Sequence, residues 1–238
     1  MHLSRLLFAS QATSMRLASL PYTIAILTAC SSLALAQATP RVSVSSSDSA
    51  ARARARADSA RLPYTAADIQ FMTHMISHHA QAIVMAKMAP SHGASQAVLT
   101  LSGRIINSQN DEIALMQNWL RDRNQPVPEA KPMPMKMEMN GQVMEMLMPG
   151  MLTDSQMAQL DSARGTDFDK LFLRGMIQHH RGAITMVQQL LATPGAAQDE
   201  AVFKFANNVN VDQSTEIRRM QQMLLVEELA THSTNSKP

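Results

Sequence analysis

At 238 residues the chain is long enough to bury a real core, as one domain or two small ones. Its apolar fraction of 45% is ordinary, but 20 Met stand against 6 Phe, 2 Tyr, 1 Trp and 8 Gly, which argues against a β-sandwich or a Rossmann-type sheet and for helices. Seven of the 21 basic residues but only two of the 19 acidic ones lie in residues 1–64, so the formal +2 hides a charge of about −3 over residues 65–238; no basic excess remains there to attract nucleic acid.

The chain opens like an exported one. Arg16 precedes an apolar run from Leu17 to Leu35, and Ala34-Leu35-Ala36 supplies a small-x-small cleavage site, so residues 1–36 read as a signal peptide. Pro21, Thr23, Thr28, Ser31 and Ser32 make the same run a poor membrane span, and no transmembrane segment is expected in the mature protein. Leu27-Thr28-Ala29-Cys30 also has the form of a lipobox, so a periplasmic or secreted chain cut after Ala36 competes with one lipid-anchored at Cys30. Cut after Ala36, the mature chain has no Cys, hence no disulfide and no Cys-based metal site. Residues 37–64 are rich in Ser, Ala and Arg, with Arg52, Arg54 and Arg56 alternating with Ala, and read as a disordered linker.

An internal repeat organises residues 65–232. Asp68, Phe71, Met75, Ile76, His78, His79, Ala82, Ile83 and Met85 match Asp169, Phe172, Met176, Ile177, His179, His180, Ala183, Ile184 and Met186, always 101 residues on. Gln109, Glu112, Ile113 and Met116 match Gln213, Glu216, Ile217 and Met220 at an offset of 104. Each unit, 65–123 and 166–232, reads as helix, break, helix. Thr65-x-x-Asp68 and Thr166-x-x-Asp169 resemble capping boxes, and Pro90 to Gly93 and Thr193-Pro194-Gly195 are the breaks. The second helices are expected over about 94–122 and 197–230, with apolar stripes through Val98, Leu101, Ile105, Ile113, Met116 and Leu120 and through Val202, Phe205, Val209, Ile217, Met220 and Leu224. One such hairpin cannot bury its stripe alone, so the fold expected is all-α, a four-helix bundle made from two repeated hairpins.

Residues 124–165 form a long crossover between the units. It carries Met133, Met135, Met137, Met139, Met144, Met146, Met148 and Met151, and a short helix is expected over 154–164 before Gly165. Met at every second residue from 133 to 139, with Pro and Lys between, makes a weak helix and a poor core strand. The segment is read either as a flexible multi-thioether capture arm or as a flap packing its Met over the bundle.

The chemistry-bearing residues sit in the first helix of each unit. Neighbours on a helix lie about 100° apart, so His78 and His79 diverge, while Met75 lies three and four residues before them and shares a face with either. Met85, seven after His78, extends the stripe, and Met176, His179, His180 and Met186 repeat the pattern; packing of the hairpins is expected to bring the clusters together. Thioether with imidazole suits copper(I) and by extension silver(I), whereas Mg²⁺ or Ca²⁺ would want oxygen. Core packing is the competing role for Met85, Met116, Met186 and Met220. His74 lies four before His78, but its repeat partner is Gly175. No Glu-x-x-His, Cys-x-x-Cys-His, His-Glu-x-x-His, phosphate loop or nucleophile elbow is present, so no enzymatic activity is expected.

Phe-x3-Met-Ile-x-His-His-x2-Ala-Ile-x-Met and Gln-x2-Glu-Ile-x2-Met, each present twice, together with Met148-Pro149-Gly150-Met151-Leu152-Thr153, resemble the bacterial domain-of-unknown-function family 305 over about residues 65–230. The resemblance implies a ferritin-like fold. It also implies kinship with periplasmic copper-resistance proteins of the CopM type, which bind Cu(I) or Ag(I) through Met and His, and so a metal-binding role for Met75, His78, His79, Met176, His179 and His180. The expected function is sequestration of a soft metal ion outside the cytoplasm, or its handover to a metal exporter or another periplasmic copper carrier. A structural or interaction bundle without specific metal affinity, or a ferritin-like metallo-oxidase, are the alternatives.

Overall fold

The computed structural model describes Arg54, residues 64–139 and residues 141–235, the side chains of 137–139 and 230–235 excepted. The signal peptide, the competing processing sites at Cys30 and Ala36, and the rest of the linker up to residue 63 lie outside the described residues. The described chain is mostly helical: α1 (Ala66–Met88), a 3-10 turn (Ala89–His92), α2 (Gln96–Asp122), β1 (Met135–Met139), β2 (Gln142–Met146), α3 (Asp154–Ser162), α4 (Gly165–Ala192) and α5 (Glu200–Asn235). Helix α1 packs on α2 and α4 on α5, giving two hairpins, and the hairpins meet through α1 and α4.

The ends of these helices follow from their capping chemistry. Thr65 caps α1 in a reciprocal capping box, its hydroxyl accepting from the Asp68 N–H while the Asp68 carboxylate accepts from the Thr65 N–H at 2.7 Å. The other Asp68 oxygen accepts from the N–H of Ala197, also at 2.7 Å, in the turn of the opposite hairpin. Asp169 mirrors this, accepting from the Ser95 N–H at 3.1 Å at the start of α2. Each hairpin's first helix thus ties down the other hairpin's turn. The Thr166 box expected in the second unit does not form: α4 begins at Gly165, where φ is +57°, and Arg164 takes the capping position without a side-chain bond. Asp199 ties the start of α5 to the end of α2. It accepts from the N–H groups of Ala201 and Val202 in the first turn of α5 and from the Trp119 indole at 3.2 Å, and pairs with Arg123, whose guanidinium lies 4.2 Å from the Trp119 ring centre.

Two groups of buried apolar side chains fill the interior. One gathers Phe71, Met72, Met75, Trp119 and Leu120 from the first hairpin with Met186, Val187, Leu190 and Phe205 from the second. The other gathers Met85, Leu101 and Ile105 with Phe168, Phe172, Leu173, Met176 and Met220. Fully burying an aliphatic or aromatic side chain of this size stabilises by about 1.5–3 kcal/mol, so these shared cores hold the hairpins together.

The crossover departs from expectation. Residues 135–139 and 142–146 pair as an antiparallel hairpin, Met135 opposite Met146 and Met137 opposite Met144, which places a small two-stranded sheet in an otherwise helical fold. The alternation of Met with polar residues has the period of a strand, and Asn140-Gly141 is the pair that tight hairpins favour; Gly141 sits at φ +74°. From Met148 the chain enters the interior. Gln81 holds the main chain of Leu152 at both ends, donating to its carbonyl at 2.9 Å and accepting its N–H at 2.7 Å. At Gly182 a Cβ would stand 1.9 Å from the Pro149 carbonyl oxygen, so only glycine lets the crossover lie this close to α4.

Replacing Asp68 by Ala removes a cap and leaves the buried N–H of Ala197 unpaired. The expected loss is about 2–4 kcal/mol of unfolding free energy, measured by urea denaturation, with Asp68→Asn losing less because it keeps one acceptor oxygen.

Candidate metal centre

Helices α1 and α4 meet at their doubled histidines. His78, His79, His179 and His180 are all fully buried, and the rings of His78 and His179 meet across the interface with centroids 3.9 Å apart and planes tilted by 37°. His79 and His180 turn away from that pair, each toward the second helix of its own hairpin, as the 100° between neighbours requires. The His79 Nε2 lies 2.7 Å from a Glu112 carboxylate oxygen and the His180 Nε2 lies 2.6 Å from that of Glu216. His78 Nε2 lies 2.9 Å from the Pro149 carbonyl, and His179 Nε2 lies 3.0 Å from the carbonyl of His78 itself.

These partners decide where the protons are. A carbonyl oxygen can only accept, so the Nε2 atoms of His78 and His179 must carry hydrogen and donate it. Burial first, and then the neighbouring His79, pushes the His78 ring down to about 3, although its bond to Pro149 works the other way. Burial, followed by the charges of His78, His180 and His79, holds His179 well below the ordinary imidazole range. Both rings are therefore neutral near pH 7, and each presents a bare lone pair at Nδ1. All four Nδ1 atoms are buried without a hydrogen-bond partner. An imidazole whose outer N–H is held by a carbonyl or carboxylate while its other nitrogen stays open is the arrangement that orients a metal ligand.

The methionines divide around this layer. Because α1 and α4 pair head to tail, Met75 shares a buried cluster with Met186, and Met176 shares the other with Met85. Met75, Met85 and Met176 are fully buried, and Met186 nearly so. Ten helical residues span about 15 Å, so the thioethers at the two ends of the stripe cannot serve one ion together with all four histidines. Each end instead offers a Met from each repeat, with the imidazoles between. Glu112 and Glu216, which sequence reading did not place at the site, hold the outer histidines. Their signal was the repeated Gln-x2-Glu-Ile word, whose Glu recurs with the same offset as the buried Met116 and Met220. Glu112 and Glu216 also help to push the Asp212 carboxyl up, after burial. Among the described residues no three His, Cys, Asp and Glu side chains are placed to hold one metal ion.

With neutral His78 and His179 in the fold, the unfolded chain takes up their protons near 6.5, while folded His78 does so only near 3 and folded His179 well below 6.5. The unfolded state binds more protons in between, so stability must fall as pH drops through that window, by about 1.4 kcal/mol per pH unit for each ring. Urea midpoints of the metal-free chain between about pH 7 and pH 4 should decline accordingly, and His78→Gln with His179→Gln should flatten the slope.

The surroundings match known proteins. A family model described as Domain of unknown function (DUF305) matches residues 68–224. A DUF305 fragment from Deinococcus radiodurans is 30% identical, with a TM-score of 0.56, covering 68% of this chain and 97% of its own. A DUF305 protein from Streptomyces coelicolor, described by inference as secreted, is 27% identical with the same TM-score, covering 68% and 94%. CopM in its Cu(II)-bound form is 28% identical with a TM-score of 0.49, covering 66% and 95%, and that protein has also been solved with Cu(I) or silver bound. A comparison with curated proteins finds no match. Among the described residues no helix is long and apolar enough to cross a membrane. With the family model matched over about two thirds of its length and the paired Met and His residues of both repeats in place, the chain belongs to the DUF305 family.

Proposed function

We propose that this protein binds copper(I) or silver(I) outside the cytoplasm, sequestering the ion or passing it to an exporter or a periplasmic carrier, without turning over a substrate. The observation that carries the reading is the set of four buried Nδ1 atoms on α1 and α4 that have no hydrogen-bond partner while every Nε2 has one. The donors that neighbour them along each helix are thioethers, at Met75 and Met176 one turn before and at Met85 and Met186 beyond.

The charge of the ion follows from burial. The cost of moving an ion out of water rises with the square of its charge, and His78 and His179 bring no compensating negative charge. A monovalent soft ion suits neutral imidazole and thioether, whereas Zn²⁺ or iron would want three or more His, Cys or carboxylate ligands converging on one point. The donors of this chain, rather than the likeness to CopM, support copper(I) and silver(I). The same reading takes the two hairpins as a ferritin-like four-helix bundle with the metal donors on the inward faces of α1 and α4. Export rests on the Arg16-led apolar run and the Ala34-Leu35-Ala36 site, with lipid attachment at Cys30 as the variant form.

An anaerobic Cu(I) titration against a competing chromogenic chelator tests the reading. Glutamine can keep an N–H donor near the place of Nε2 while lacking the Nδ1 lone pair, so His78→Gln with His179→Gln removes ligands with little change of shape. The expected result is tight, saturable binding that weakens by about 100-fold or more in the double variant, at or above the upper end of what losing a supporting group costs. Unchanged affinity in the variant would remove the histidines from the site.

A further inference from the structure

One of the positions at which the repeat breaks near the buried histidines leaves a different space on each side. His74 in α1 corresponds to Gly175 in α4. On the glycine side the space is filled: a Cβ at Gly175 would stand 3.0 Å from a Leu152 methyl and 3.2 Å from the Met85 methyl. On the histidine side the space is open. His74 lines a cleft of about 200 Å³ together with Met135, Met148, Pro149 and Met186.

The cleft has the donor chemistry of a soft-ion site. One imidazole and three thioethers share its walls, contributed by α1, by α4, by the first residue of β1 and by the segment that follows β2. His74 is half-buried and has no hydrogen-bond partner among the described residues. Met148 and Met186 are almost fully buried, at 2% and 7% exposure, so their sulfur atoms are held rather than free to wander in solvent. Position and chemistry also connect the cleft to the interior. Met148 lines it, and the next residue, Pro149, holds the Nε2–H of His78. Met186 belongs to the same buried cluster as Met75, one turn before the histidine pair.

We propose that His74, Met135, Met148 and Met186 form a second, solvent-facing site for a soft monovalent metal ion, at which the ion is taken up before it reaches the buried histidines. The uptake role rests on the function proposed above; the cleft site itself does not. The site belongs to one half of the repeat, because Leu152 and Met85 plug the equivalent place in the other. It also gives the Met-rich crossover a task, since Met135 and Met148 bracket the hairpin and bring its two ends to the cleft.

The test is a silver nitrate titration of the purified chain labelled with 13C at its methionine methyl groups, in chloride-free buffer. It compares wild type, His74→Gln combined with Met135→Leu, and His78→Gln combined with His179→Gln. The methyl signals of Met135, Met148 and Met186 should shift with the first ion added to wild type. The His74/Met135 variant should bind one fewer Ag(I) per chain and load its buried site at least tenfold more slowly. The His78/His179 variant should keep the ion at the cleft. An unchanged ion count and unchanged loading rate in the His74/Met135 variant would overturn the cleft site while leaving the buried one standing. Cleft signals that respond in a chain with no second, histidine-dependent ion would support the cleft and overturn the buried centre instead.

Discussion

Everything at the centre of this protein follows from how the outer nitrogen of each buried imidazole is spent. Four histidines cannot be packed between helices as though they were apolar, since each carries two polar nitrogens that must be satisfied or used. Here Pro149, the His78 carbonyl, Glu112 and Glu216 take one nitrogen of each ring and leave the other open. Those four partners come from the crossover, from α1, from α2 and from α5. The same hydrogen bonds therefore set the separation of the hairpins and the direction in which the open nitrogens point.

The crossover turns a repeated pair of hairpins into an asymmetric object. It docks on one side only, through Gln81 against Leu152, through Pro149 against His78, and through the close approach of Pro149 and Gly150 to Gly182. Residues 81 and 182 are equivalent by the repeat, yet one must be a long amide and the other no side chain at all. The same asymmetry leaves an open cleft beside His74 and fills its counterpart at Gly175. A symmetric bundle would have two equivalent ends. This one packs Leu152 and Met85 beside Gly175 and leaves the larger cleft beside His74.

Much of this was legible in the sequence because the information was periodic. The offset of 101 fixed helical register in both units, and register alone places Met75 and Met176 one turn before the paired histidines and sends neighbouring histidines in different directions. The family word was equally plain. What the pattern could not carry was anything that depends on how the hairpins meet. Helices α1 and α4 pair head to tail, so Met75 joins Met186 and Met85 joins Met176, a pairing that leaves no mark on either helix taken singly. The carboxylates of Glu112 and Glu216 lay in the repeat but on other helices, and their reach to His79 and His180 is a tertiary fact. The β-hairpin was missed for a different reason. Met alternating with Pro and Lys makes a poor core strand, and the β2 that forms is an exposed one, announced only by the period of two and the Asn-Gly turn. Asp169 shows the same limit on a smaller scale, since its sequence neighbours suggested a local cap and it bonds instead to Ser95 of the other hairpin.

The proposed function requires that His78 and His179 stand neutral, with hydrogen on Nε2 and an open lone pair on Nδ1, before any metal arrives. Long-range 1H–15N correlation of the histidine rings in the metal-free chain reads this directly, because protonated and unprotonated ring nitrogens resonate far apart. The account predicts that His78 and His179 show a protonated Nε2 and an unprotonated Nδ1 at neutral pH, and that Cu(I) or Ag(I) moves the Nδ1 signals alone. Rings protonated at Nδ1, or averaging between the two tautomers, would contradict it.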